Sequence, residues 1–145
     1  MISAAPSRLE PASEMSRHRH VGAYATLVLS GGYEEAGDAG RFRVAEGDVL
    51  IHSPFSTHRD AIFRAGAVVL DLPLPFDGRD WPARGRLADP DALVRSAARD
   101  ASEAAAGLLE QLEPVACAEA DLPDLLARDL VSDPQLAIGA WAEQQ

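Results

Sequence analysis

From residue 24 to residue 72 the chain alternates short apolar runs with turn signals. Residues 24–29 form a β-compatible run that ends in Ser30-Gly31-Gly32, a turn signal. A second turn at Gly37-Asp38-Ala39-Gly40 leads into Arg41-Phe42-Arg43-Val44, where polar and apolar residues alternate as in a half-buried strand. Glu46-Gly47-Asp48 is a tight turn before a strand over 49–52, and Pro54-Phe55-Ser56 is a loop. Strands over 58–63 and 67–72 follow, and Pro73-Leu74-Pro75 closes the series. Short strands at roughly eight-to-twelve-residue spacing predict a sandwich or barrel.

Residues 76–88 (FDGRDWPARGRLA) read as a loop or linker, and beyond them the period changes. Asp89 followed by Pro90 is an N-cap with proline at the first helical position. Leu93, Val94, Ala97 and Ala98 then recur at helical spacing. A second helix is predicted over 101–112, with Leu108, Leu109 and Leu112 on one face and Pro114 as its stop. A third is predicted over 121–131. A fourth, over 135–145, opens on Asp133-Pro134 and carries Leu136, Ile138, Trp141 and Ala142; it lacks a C-cap signal and is expected to continue. The chain thus divides into a β-barrel over 1–75, a linker over 76–88 and a helical segment over 89–145. The leucine stripe over 89–112 has two possible destinations, its own barrel or a second copy of the chain, because an amphipathic helix must bury its face.

All four histidines, His18, His20, His52 and His58, lie in the β half. Residues i and i+2 of a strand point to the same side, so His18 and His20 can converge with Arg17 and Arg19 turned away. The pair admits three readings: half of a metal site, part of a ligand pocket, or the polar start of a strand. His-x-His with a third, distant histidine is a plausible first shell for a divalent metal in a small barrel. His52 reads as a hydrogen-bonded barrel residue. Tyr24 belongs either to the core or, by its phenol, to the same pocket. Glu34 and Glu35 come only after the Ser30-Gly31-Gly32 signal. Arg41, Arg43 and Arg59, with Arg17 and Arg19, read as outer-face charges.

The 145 residues suit one ordinary domain, alone or with an appendage. All 13 basic residues are arginine, a sign of GC-rich bacterial coding. Net charge is −10, with residues 89–145 holding twelve acids and three arginines. That balance argues against this chain gripping a phosphate backbone by itself. No run approaches the ~18 apolar residues of a membrane span, and the N-terminus has no apolar secretory core. The single Cys117 rules out an internal disulfide and suits the cytosol. A cytoplasmic protein is expected.

The segments HRHVGAYATLVLSGG and FRVAEGDVLIHSPFSTH resemble the two motifs of the cupin superfamily. In that family a His-x-His and a glutamate precede a glycine turn, and a Gly-Asp turn precedes a proline loop and a final histidine. By position, His18, His20 and His58 match the three histidine ligands. The glutamate falls on Tyr24, leaving three of four ligands, and Ser56 replaces the usual glycine of the proline loop. The resemblance implies a mainly β fold with C-terminal helices, a cupin-like jelly-roll barrel. It also implies a divalent metal (Zn, Fe or Ni) on His18, His20 and His58, since three ligands suffice for an open site.

A cupin followed by an acidic helical segment and a Leu136…Ile138-Gly139…Trp141-Ala142 helix start resembles the AraC/XylS-type transcription regulators. That resemblance implies a sensor domain with a small-molecule effector in the barrel, contacted by His18, His20, Tyr24 and His58. It implies homodimerisation through the helical segment, and DNA binding only through a helix-turn-helix domain that this sequence does not contain. In that reading the chain is not an enzyme. The alternative is a small metal-dependent cupin enzyme of oxygenase or isomerase type, using an open three-histidine site.

Overall fold

A computed structural model describes residues 2–75 and 81–115. Eight strands and two helices follow in order: β1 (Ser7–Leu9), β2 (Glu14–Arg19), β3 (Tyr24–Gly37), β4 (Gly40–Ala45), β5 (Asp48–His52), β6 (Thr57–Pro73), β7 (Arg84–Arg86), α1 (Pro90–Arg99), α2 (Ala101–Gln111) and β8 (Glu113–Pro114). The helices expected over 121–131 and 135–145, and Cys117, lie outside the described residues.

The frame is the antiparallel pair β3–β6, two long strands where shorter ones were expected. Ser30-Gly31-Gly32 is a bend inside β3 rather than a turn, and β6 runs through Gly66 without a break. Gly31 and Gly66 both have positive φ, 67° and 72°, a conformation that glycine adopts without steric cost. They also touch: a Cβ on Gly31 would lie 1.9 Å from the Gly66 carbonyl oxygen. Register shifts flank the bend, between Val28 and Ser30 and between Gly31 and Tyr33. Such bulges bend a strand and raise its twist.

The bend divides the sheet into two halves that share both long strands. In one, β2 pairs with the first part of β6, which pairs with the last part of β3, which pairs with β4. In the other, β1, the last part of β6, the first part of β3, β5, β7 and β8 follow in order. The result is a mainly β fold with C-terminal helices, a cupin-like jelly-roll barrel.

Residues 84–86 correct the reading of 76–88 as linker throughout. They pair with β5, Asp48 opposite Arg86. Arg86 forms an ion pair with the buried Asp48 carboxylate, whose other oxygen accepts from the Ala45 N–H at 2.8 Å. A buried carboxylate needs such partners, and here they fasten β7 to the barrel.

Strand alternation sorts the side chains into two apolar layers. Val28, Tyr33, Phe42, Val44, Leu50, Ile62 and Val69 pack together in one. Ala25, Leu27, Val49, Leu70 and Leu72 form the other, covered by Leu93, Ala97, Ala101, Ala104 and Leu108 of the helices. Of the two destinations open to the leucine stripe, α1 and α2 therefore occupy their own barrel. Asp89 caps α1 by accepting from the Ala92 N–H at 3.1 Å, with Pro90 in the first turn. Asp100 ends α1 and caps α2.

Replacing Gly31 with alanine forces a methyl group into the Gly66 backbone and should cost more than about 2 kcal/mol. Gly107, inside α2 with open space where a Cβ would stand, should gain about 0.5–1 kcal/mol on the same substitution. Urea unfolding of the two variants checks this; equal effects would contradict the bend's role.

Candidate functional site

Cross-strand register sets three pairs of inward positions side by side. His18 of β2 lies opposite His58 of β6. Glu35 of β3 lies opposite Asp60 of β6, two residues from His58 and on the same face. Tyr24 of β3 lies opposite His52 of β5. The loop carrying His20 is held to the Pro54 loop, where the Phe55 N–H donates to the His20 carbonyl at 2.8 Å.

These elements enclose a cavity of about 90 Å³ whose lining includes His18, His20, Tyr24, Glu35, His58 and Asp60. Ring centroids of His18, His20 and His58 are 4.4 to 5.4 Å apart. One ring nitrogen from each lies within 4.8 Å of those of the other two. All four residues singled out in the sequence, Tyr24 included, thus meet in one cavity.

His18 and His58 are held through their ring nitrogens, and His20 is not. His18 donates from Nδ1 to the Ser16 carbonyl at 2.8 Å, which leaves the lone pair on Nε2. His20 Nε2 is buried with no hydrogen-bond partner. Burial first, then the neighbouring His18, His58 and His52, lowers the His20 pKa, so its ring stays neutral and offers a lone pair. His58 points Nδ1 at Glu35 (3.0 Å) and Asp60 (3.2 Å) and Nε2 at the Tyr24 hydroxyl (2.8 Å).

Sequence reading passed over the carboxylates. Glu35 was set aside because it follows the Ser30-Gly31-Gly32 signal, yet the continuous β3 carries it back beside His58. Buried at 5% exposure, it accepts from His52 Nε2 at 3.0 Å as well as from His58. His52 is therefore the hydrogen-bonded barrel residue expected. Burial raises the Glu35 pKa, but the hydrogen bonds from His52 and His58 outweigh it and hold the carboxyl down at about 2. For His58, burial works downward, while the bonds to Asp60 and Glu35 carry it up to about 9. Burial and the Glu35 charge push Asp60 up against its bond from His58. Tyr24 is raised by burial and then by Glu35, Asp71 and Asp60, so its phenol keeps its proton.

The donor set fits a divalent metal. Three imidazoles converge, two have a ring nitrogen fixed by a hydrogen-bond acceptor, and the third presents an unpartnered buried nitrogen, an atom for which a missing ion or water is the usual account. Tyr24 brings its hydroxyl to Nε2 of His58 at 2.8 Å.

The ion pair at the centre sets a pH window for stability in metal-free protein. His58, bound tighter as its cation than its ordinary 6.5, contributes fully below pH 6.5 and loses that contribution as pH rises through about 9. Glu35, lowered from 4.5, contributes fully above pH 4.5 and loses it as pH falls through about 2. The difference in melting temperature between wild type and Glu35→Gln should be widest between pH 4.5 and 6.5 and narrow above pH 9. A difference that is flat from pH 6 to 10 would contradict the pairing.

No protein-family model matches the chain, and no curated protein matches it. Solved structures do resemble it. AerE from Microcystis aeruginosa aligns with 57% of this chain and 41% of its own, at 18% identity and a TM-score of 0.48. An RmlC-like cupin from Shewanella frigidimarina aligns over 52% of this chain and 67% of its own, at 19% identity and TM-score 0.45. Bacillus subtilis oxalate decarboxylase aligns over 46% of this chain, at 24% identity and TM-score 0.41, and the match spans only 19% of that longer protein.

Proposed function

We propose that this chain is a small metal-dependent cupin enzyme, with a divalent ion (Zn, Fe or Ni) held by His18, His20 and His58. The observation that carries this reading is the convergence of three imidazoles on one cavity, with His20 Nε2 buried and unpartnered. Such an ion supplies Lewis acidity to a bound water, dioxygen or substrate oxygen.

The chain's own residues supply the rest. Glu35 and Asp60 hold His58 by Nδ1 and fix its orientation, the arrangement that makes an imidazole a directed ligand. Tyr24 Oη, 2.8 Å from His58 Nε2, remains a phenol and stands ready to donate a hydrogen bond or proton to an oxygen of the substrate. Asp71 lines the same cavity, with one oxygen accepting from the Thr26 hydroxyl at 2.6 Å. Outside lies an open depression of about 390 Å³, lined in part by the same His20, Tyr24 and Asp71, a path by which substrate reaches the histidines. The inner cavity admits a small oxygen-bearing group, and the body of a larger substrate stays in the depression.

The sensor reading draws on residues 136–142, outside the described residues. Its effector would occupy the same inner cavity of about 90 Å³ and the depression of about 390 Å³ outside it. Homodimerisation through the helical segment, 89–145, stays a proposal of the sensor reading; the buried apolar residues of α1 and α2 pack on the barrel.

Dialysis against Zn(II), Fe(II) or Ni(II), followed by elemental analysis, should leave at least one ion per chain. His20→Ala should weaken that binding by about 100-fold or more, comparable to or beyond the loss of an outer-shell partner. Affinity should rise with pH from 6 to 9, because a metal must displace the proton of His58. Wild type that retains no metal sinks the enzyme reading. Stabilisation by a small organic molecule in that metal-free protein would favour the sensor.

A further inference from the structure

His58 belongs to two clusters at once. On its Nε2 side lies Tyr24, whose ring centroid is 4.5 Å from that of His20; on its Nδ1 side lie Glu35 and, beyond it, His52. The second cluster, Glu35, His52 and His58, is buried throughout, and its ligand-type atoms also lie within 4.8 Å of one another. We infer that this inner cluster is a second divalent-metal position, sharing His58 as a bridging imidazole with the outer three-histidine position. The inference rests on the outer position proposed above.

Four observations carry it. The inner cluster has two imidazoles and one carboxylate, a donor set that holds Fe(II), Zn(II) and similar ions with positions left open. Glu35 oxygens lie 3.0 Å from both His52 Nε2 and His58 Nδ1. That is also the spacing of adjacent ligand atoms at right angles around an ion about 2.1 Å from each. All three side chains are buried, Glu35 at 5%, His52 at 6% and His58 at 4% exposure, so an ion among them would be held by protein atoms. Finally, Asp60 reaches the same His58 nitrogen at 3.2 Å. Two buried carboxylates on one ring edge make a region of negative potential that a divalent cation offsets. To serve both positions His58 would offer Nδ1 to the inner one and Nε2 to the outer one, and both ring protons would have to pass to solvent.

Equilibrium dialysis with Zn(II) on the full chain, read by elemental analysis, should give two ions per wild-type chain. Glu35→Gln, nearly equal in volume, and His52→Ala should each retain one. His18→Ala should lose the outer ion and retain one, and His58→Ala should retain neither tightly. Circular dichroism establishes that each variant is folded before its metal is counted. A wild type holding one ion, lost in His18→Ala, overturns the second position and leaves the proposed function intact. Two ions that both survive in Glu35→Gln and His52→Ala also overturn it. One ion lost in His52→Ala and kept in His18→Ala overturns the outer position and the sharing together.

Discussion

The close approach of Gly31 to Gly66 is the constraint on which this structure depends. Two strands can bend together from one half of a sheet to the other only if both backbones tolerate the same kink at the same level, and neither residue can carry a Cβ. Because they bend together, the ladder continues beyond the kink, and Glu35, Asp60 and His58 come into register on the far side. Without it, β3 would end at residue 29 and Glu35 would not stand beside His58. Stability and site geometry thus share one cause.

Within the barrel the decisive group is Glu35. A carboxylate at 5% exposure is tolerated because two imidazole N–H groups take up its oxygens. In return it sets the orientation of both rings and fixes which side of His58 is turned to the cavity. Tyr24 completes the circuit from the opposite side. The cluster is therefore internally satisfied at most of its atoms, and within it His20 Nε2 and His52 Nδ1 are buried nitrogens without a partner.

Local signals were legible in the sequence, and long-range ones were not. Asp89-Pro90 announces α1 because a cap depends only on its own few residues. His18 and His20 share a side because strand alternation is local too, and the same argument, applied to His58, reaches Asp60. Ser30-Gly31-Gly32 misled because positive φ serves a turn and a bend equally well; only the partner strand decides, and Gly66 is thirty-five residues away. Glu35 was missed as a consequence, although its alternation with the buried Tyr33 was there to be read. Strand β7 carries no apolar period at all; it exists because Asp48 needs a cation and Arg86 supplies one.

The two helices lie on the barrel's outer layer, and their side chains complete a core that Ala25, Leu27, Leu70 and Leu72 begin. A β-barrel of this kind is therefore not a self-contained cassette that ends where its last long strand ends. A further module joined on the C-terminal side must attach after residue 114, where β8 still pairs with β7, since a junction at residue 75 would open a greasy face to water. The seam that a fusion, a truncation or an expression fragment can respect lies beyond α2, well inside what composition alone marks as the helical half.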